Sequence, residues 1–345
     1  MINKVKISMP NKIKVAVLMG GPSEEHEVSL NTGKNVLKNI DKKKYEAQGI
    51  TINKEGNWEM SPEELKKNFD VVFVAMHGPY GEDGMVQAEL EAVGVPYTGS
   101  DAQTSALCMN KHLSLKLLQD VELTVPQTMF LDWNEWLDNR EALLQKAKLF
   151  INPPYVIKPN RSGSSLDVII SANSEDIEPT LMKLFEKHHD LIIQPFINGR
   201  EVACGVLDCG VTRSAYPLPP IEIIPKLSHF FDYESKYKMS GADEIVPARF
   251  SDSWLKEIQR VAKKAHTLLD CRGMSRTDMV VGEDGKVYVL EINTIPGLTK
   301  TSLLPQEARA KKIMFPELIS RIIESGLRTH SVNIAKSSEH GEFSF

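Results

Sequence analysis

The chain has 345 residues, 41% of them hydrophobic and 25% charged, with a net charge of −5 at neutral pH. That length allows two or three domains with their own cores, the composition is ordinary for a soluble globular protein, and the mildly acidic balance implies no surface for nucleic acid or another polyanion. No segment approaches a membrane span, and the N-terminal MINKVKISMPNKIK has no apolar core of signal-peptide length, so a cytoplasmic protein without membrane contact is expected. Cys108, Cys204, Cys209 and Cys271 form no CxxC pair and read as free thiols of a reducing cytosol.

Lys14–Met19 (KVAVLM) is a continuous apolar run, as expected for a strand buried on both faces. Gly20-Gly21-Pro22-Ser23 breaks it, and Glu24 to Ile40 is predicted helical, with acidic residues at the start where the helix dipole favours them. The glycines lack the GxGxxG order of a dinucleotide site, although a helix N-terminus there can bind an anion. Glu25 and Glu27 either hold a substrate ammonium or only complement the dipole. Asp70–Met76 is a second buried strand, followed by the glycine-rich HGPYGEDG, His77–Gly84. His77 reads as a hydrogen-bonded structural residue or as part of a site. With a helix over Gln87–Val93, residues 1–99 form an open α/β domain, whose ligands bind beyond the carboxyl ends of its strands, where both glycine-rich loops lie.

Thr104–Asp120 is predicted as one helix carrying Lys111, and Trp133–Lys148 as another. Pro153–Lys158 and Leu191–Pro195 read as strands. The intervening Lys158–Ser165 (KPNRSGSS) is a phosphate candidate: small residues let backbone N–H groups approach, the serine hydroxyls add donors and Lys158 adds a charge. The order is not that of a Walker A loop, and a solvated turn is the plain alternative. From Arg200–Leu207 onward the strands read as mostly antiparallel. Pro225 to Pro247 has little secondary-structure signal and holds FDYESKYK, Phe231–Lys238. Loops of that length are often lids, and Lys236 or Lys238 would supply a cation; a mobile polar loop is the alternative. Trp254–Leu269 is an amphipathic helix, Pro316–Leu327 the last one, and 329–345 a frayed polar tail. No Gly-x-Ser-x-Gly elbow and no His-Glu-x-x-His occurs, which removes the obvious hydrolase readings.

The most informative stretch is SRTDMVVGEDGKVYVLEINTIPG, Ser275–Gly297. Two strand-like runs, Arg276–Val281 and Lys286–Asn293, flank Gly-Glu-Asp-Gly. With Asp284-Gly285 at the centre of a two-residue turn, Asp278 faces Glu291 and Arg276 faces Asn293, all on one face with Val280 and Val289. Opposed carboxylates destabilise a sheet unless something positive lies between them. That positive group is either a divalent cation or a basic side chain such as Arg276. A three-residue loop would set Asp278 against Leu290 and remove the argument. Asp, Glu and Asn offer hard oxygen ligands suited to Mg²⁺ or Mn²⁺, which usually share their shell with substrate phosphates.

Together, LMGGPSEEHEVSL, HGPYGEDG, PYTGSDAQTSALCMNK, VIKPNRSGSS, the DYESKY loop, SRTD, LEINTIPGLT and TSLLP resemble the D-alanine–D-alanine ligases of the ATP-grasp superfamily, in family order from about Ile13 to Leu327. The resemblance implies an α/β and α+β, three-domain ATP-grasp fold: an open parallel N-terminal sheet (1–99), then central (100–194) and C-terminal (195–328) domains whose antiparallel sheets clasp ATP; the disordered tail expected over 329–345 follows from its polar, aperiodic composition instead. It implies ligation of two D-alanines to a peptidoglycan precursor through an acyl phosphate, with ATP as substrate, two Mg²⁺ (or Mn²⁺) ions, and a homodimer. By the same resemblance Asp278, Glu291 and Asn293 hold the metal and Arg276 stabilises the oxyanion. Lys111, Lys158, Ser165 and Lys236 meet ATP phosphates, Glu201 the ribose, and Gln194, Phe196 and Ile197 the adenine. Glu25, with His77 nearby, holds the first D-alanine, and Ser302 and Leu303 the carboxylate of the second. Ser164, Tyr237 and Gly297 shape the space between the two. Related enzymes take D-serine or D-lactate second. The chain departs from the family pattern at Leu166-Asp167, where Val-Gly is usual, and Asp167 is expected to add negative charge near the phosphates. It also departs at Ser162, Gln194 and Phe231. A nucleotide-binding homologue without catalysis is the remaining alternative.

Overall fold

The computed structural model describes residues 12–163, 167–208, 214–225 and 242–339. The N-terminal unit comprises β1 (Ile13–Gly20), α1 (His26–Asn39), β2 (Tyr45–Ile52), α2 (Pro62–Asn68), β3 (Val71–Val74) and α3 (Met85–Val93). Its sheet is parallel, in the order β2-β1-β3. Val15 to Leu18 have no solvent exposure, which is why that strand reads as unbroken hydrophobicity. The loops after β1 and β3 leave at the carboxyl edge of this sheet.

Two helices follow, α4 (Ala102–Met109) and α5 (Lys111–Asp120). The continuous helix expected over Thr104–Asp120 is broken at Asn110, which caps α5 by accepting from Leu113 N. Although grouped with the central sheet by sequence, this segment packs Cys108, Leu115, Leu118 and Leu123 into the core of the C-terminal sheet.

The central unit contains β4 (Met129–Asp132), α6 (Trp133–Phe150), β5 (Tyr155–Pro159), β6 (Ile169–Ser171), α7 (Ile177–Phe185) and β7 (Asp190–Pro195). Its antiparallel sheet has the order β4-β7-β5-β6. The C-terminal unit contains β8 (Gly199–Leu207), β9 (Tyr216–Pro217), β10 (Ile221–Pro225), β11 (Ala242–Ile245), α8 (Asp252–Leu268), β12 (Met274–Gly282), β13 (Val287–Asn293), α9 (Leu303–Ala310) and α10 (Phe315–Glu339). Its sheet runs β11-β10-β8-β12-β13, all antiparallel, with β9 beside β8.

Helix α10 returns to the N-terminal sheet, adding Leu318, Ile319, Ile322 and Ile323 to its core. It continues to Glu339, well past Leu327, so the tail expected to begin at 329 is largely helical. The extension is polar and invisible to hydrophobic periodicity, but Arg328 pairs with Glu324 one turn back and Thr329 Oγ1 donates to Ser325 O. No helix among the described residues is long and apolar enough to cross a membrane.

Candidate active site

The β12–β13 hairpin does pair Asp278 with Glu291 and Arg276 with Asn293, but by a different route from the one expected. The turn holds three residues, Glu283 to Gly285: Gly282 N donates to Lys286 O, Gly285 N to Gly282 O, and Gly285 takes a positive φ of 77°. That is the three-residue loop closed by a left-handed glycine. Alone it would set Asp278 against Leu290. The register shifts between Asp278 and Met279, where Met279 already faces Val289, so Leu290 is the extra residue of a bulge. The bulge restores the Asp278–Glu291 pair and re-aims its neighbours. Leu290 and Glu291 both line the cleft with Val280, whereas Val289, expected on the site face, is fully buried in the opposite core.

The cleft is a cavity of about 500 Å³ between the central and C-terminal sheets. Lys111, Lys158, Asp278 and Glu291 line it together with Gln194, Phe196, Ile197 and Glu201. Val156, Ile170, Val280 and Leu290 give it an apolar lining beside these polar groups. Val280 was expected on the site face, whereas Leu290, Val156 and Ile170 were not placed there from the sequence, where they are ordinary strand hydrophobics.

Lys111 reaches the cleft because α4 breaks at Asn110. Asn160, at the start of the phosphate loop, holds the new helix start: Lys111 N donates to Asn160 O (3.1 Å), His112 N to Asn160 Oδ1 (2.8 Å), and Asn160 Nδ2 to Asn110 Oδ1 (3.0 Å). Lys111 Nζ then lies 3.2 Å from Glu291 Oε2 and donates to Ser162 O. Ser162 thus serves through its carbonyl, which every residue type supplies.

The electrostatics follow from burial. Desolvation lowers the Lys158 pKa to about 8 against the opposing pull of Glu291. For Glu291 burial would raise the pKa, but Lys111 and Lys158 hold the carboxyl below its usual range. Burial would likewise lower that of Arg276, yet the Asp278 charge and hydrogen bonds hold the guanidinium above its ordinary value. That bond is bidentate, 2.7 Å from Nε to Oδ1 and 2.7 Å from Nη2 to Oδ2, and Asn293 Nδ2 donates to the same Oδ2 at 3.0 Å.

On the N-terminal side, Glu25 directly precedes α1. A Cβ built on Gly78 would lie 2.7 Å from its Oε2, and one on Gly163 of the phosphate loop 3.4 Å away. Glycine at 78 makes room for this carboxylate, whereas a Cβ at 163 on the other loop would make only ordinary contact with it. Both ring nitrogens of His77 are engaged, Nε2 with Thr32 Oγ1 (2.9 Å) and Nδ1 with Glu82 Oε1 (3.0 Å). Glu82, not singled out from sequence, lines a small adjoining cavity with Lys111, Glu291 and Asn293. At the far side, a Cβ on Gly297 would lie 2.8 Å from Ser302 Oγ, and Leu303 opens α9. Asn35 Nδ2 donates to Leu298 O (2.6 Å), tying α1 to this loop.

The family models for the D-ala D-ala ligase N-terminus and C-terminus match residues 14–67 and 59–100, and 117–324. The chain belongs to the D-alanine–D-alanine ligase family. The D-alanine–D-alanine ligase of Citrifermentans bemidjiense is 40% identical over 91% of this chain and 96% of its own length. Among solved structures, the Bacillus anthracis D-alanine–D-alanine ligase complexed with ATP is 34% identical at a TM-score of 0.77, covering 94% of this chain and 100% of that one. The VanG D-Ala:D-Ser ligase of Enterococcus faecalis is 30% identical at a TM-score of 0.80, covering 92% and 100%.

Within this ligase fold, Ser164, Ser165, Lys236 and Tyr237 lie outside the described residues, as do Leu166, Cys209 and the Phe231–Tyr237 loop. Cys108, Cys204 and Cys271 are buried free thiols. Gln194 Nε2 donates to Thr128 Oγ1 (2.8 Å) at the cavity edge. Asp167 has a positive φ of 56°, the conformation for which the glycine usual in the family is best suited. Its carboxylate accepts from His188 Nε2 at 2.8 Å and lies 3.5 Å from Lys187 Nζ. The charge expected to trouble the phosphates is therefore matched by two basic residues on the turn between α7 and β7.

Proposed function

We propose that the chain joins two D-alanines at the expense of ATP, releasing ADP and phosphate, to supply a peptidoglycan precursor in the cytoplasm. The observation that carries this reading is the convergence of Lys111, Lys158, Asp278 and Glu291 on the interdomain cavity, with Arg276 and Asn293 hydrogen-bonded to Asp278 beside them. ATP lies in that cavity with its base against the apolar lining, framed by Gln194, Phe196 and Ile197, and its ribose on Glu201. Lys111 and Lys158 meet the phosphates, helped by Ser165 and Lys236. Glu25 holds the ammonium of the first D-alanine, and His77 fixes Glu82 beside it.

The carboxylate of the first D-alanine forms a bond to the γ-phosphorus while the bond to the β,γ-bridging oxygen breaks and ADP leaves. The unprotonated amine of the second D-alanine then attacks the acyl carbon. Arg276 and the Gly297 N–H stabilise the oxyanion, which collapses with cleavage of the acyl C–O bond as phosphate departs and takes up the proton the amine loses. Ser302 and Leu303, where α9 begins, hold the second carboxylate, and Ser164 and Tyr237 shape the space between the substrates. The donor set fits a hard divalent cation, two opposed carboxylates and a carboxamide on one hairpin face, so Asp278, Glu291 and Asn293 would hold two Mg²⁺ or Mn²⁺ ions. When bound, such ions offset the charge that develops on the transferred phosphoryl group.

The test is phosphate release from ATP with D-alanine alone, D-alanine plus D-serine and D-alanine plus D-lactate, with products identified by mass. D-alanyl-D-alanine as the main product supports the reading. Phosphate release independent of D-alanine, or a mixed product only, sinks it. The family resemblance also supports a homodimer, which light scattering on the purified chain decides.

A further inference from the structure

Glu307 is a carboxylic acid with no solvent exposure, on α9. Both of its oxygens accept from Gly205 N, at 3.0 and 3.1 Å. Gly205 lies on β8 directly opposite Arg276 of β12. A Cβ on Gly205 would come within 2.7 Å of Glu307 Oε2 and 2.4 Å of Leu304 Cδ1, so the glycine lets the helix seat against the strand backbone. The backbone beside Gly205 is already committed: Leu218 N donates to Gly205 O, while Leu218 O accepts from Gln259 Nε2 and Cys204 Sγ. One turn before Glu307 on the same helix stand Ser302 and Leu303.

We propose that Glu307 is a positioning residue for the second substrate: by docking α9 on β8 behind Arg276, it sets the reach from the start of α9 to the oxyanion donor. This rests on the reading that Ser302 and Leu303 hold the second carboxylate. The amine that attacks and the carboxylate that is held belong to one small molecule, so a displaced α9 moves the amine away from the acyl carbon. In the bound complex the amine can then reach the acyl carbon only by giving up part of the carboxylate contact, so the loss reads as a weaker second D-alanine site. The charged and titratable groups facing Glu307 are Arg276 and Asp278 on β12 and the Cys204 thiol on β8. Burial raises the Glu307 pKa to about 8, so near neutral pH it acts mainly as an uncharged hydrogen-bonding group.

The experiment is steady-state kinetics on the full chain over a wide D-alanine range, which separates the KM values of the two D-alanine sites, together with the KM for ATP. Glu307→Ala is expected to raise the second D-alanine KM at least about tenfold, with the first KM and the ATP KM changed less than about twofold. Glu307→Gln, which keeps an oxygen for Gly205 N, is expected to restore the second KM to within about threefold of the parent. Equal rises in all three KM values, an unchanged second KM, or a Gln variant as impaired as Ala overturns the proposal. If the Ala variant does not fold, Glu307→Asp retracts the carboxyl by one methylene, and an unchanged second KM in that variant is equally decisive. Ser302→Ala separates the two readings: if it leaves the second KM unchanged, the assignment of the carboxylate site fails whatever Glu307 does.

Discussion

Asp278 and Glu291 stand opposite each other only because Leu290 is squeezed out of the strand pairing between them and the turn. The three-residue loop and the one-residue bulge cancel, and the bulge leaves Leu290 and Glu291 together on the cleft face. Glu291 thereby meets Lys111 at 3.2 Å and a shared cavity with Lys158.

Glu291→Gln keeps the shape of this residue and removes its charge. Turnover is expected to fall at least about a thousandfold, since the variant forfeits an anionic oxygen donor at the point where charge shifts. The fold stays intact, because Gln still fits the strand and Lys111 retains Ser162 O as acceptor. Phosphate release and circular dichroism on the same preparation check both halves. Near-parental turnover would remove Glu291 from the site.

The hairpin shows what was legible in the sequence and what was not. Asp-Gly flanked by apolar runs announces a turn, and Asp278, Glu291 and Arg276 are conspicuous as charges on otherwise apolar strands. The bulge leaves no such mark, because VYVLEIN is apolar on both faces and parity cannot reveal a skipped residue. The break at Asn110 is hidden in the same way. Helical periodicity continues through it, and the residue that fixes it, Asn160, is 50 positions away. Strand β2 escaped notice because YEAQGITI carries polar residues and a glycine. Met19 fills the space beside that glycine, its Cε 2.3 Å from where a Cβ on Gly49 would stand. Local signals located the motifs and the family resemblance assigned their roles. Contacts between distant segments, such as that of Glu307 with Gly205, had no signal in the sequence at all.

Asp167→Gly tests whether the departure from the family pattern matters. The carboxylate bonds His188, which with Lys187 holds its pKa below the usual range, so its charge already has local partners. Glycine relieves a left-handed residue by roughly 1 kcal/mol and forfeits a partly exposed pair worth about 0.2–1 kcal/mol. Stability should stay within about 1 kcal/mol of the parent, and the KM for ATP within about twofold. A tenfold fall in that KM would show that the carboxylate does oppose the phosphates.

Lys158 gives ATP binding a pH dependence. Its pKa in the free enzyme is lowered to about 8 by desolvation, and bound phosphate favours the charged form. Below pH 8 the ammonium is already present and affinity is flat. Above it, binding must restore a proton, so the Kd of a non-hydrolysable ATP analogue should rise by up to about tenfold per pH unit. Lys158→Arg, charged throughout this range, should flatten the profile. Calorimetric titration between pH 6.5 and 9.5 checks it, and a flat parental curve would mean that Lys158 titrates normally.

Glu307 makes the opposite contribution to folding stability. Its folded pKa, about 8, lies above the ordinary 4.5, so the folded state binds the proton more tightly than the unfolded chain does. The stabilisation is complete below pH 4.5 and is lost as pH rises through 8. Gln at this position does not titrate. The stability of Glu307→Gln relative to the parent should therefore climb between pH 5 and 8, by at most about 1.4 kcal/mol per pH unit. Urea denaturation of both proteins at pH 5.5, 7 and 8.5 measures the difference directly. A constant offset across that range would mean that the carboxyl is solvated and that α9 is not docked on β8 through a buried acid.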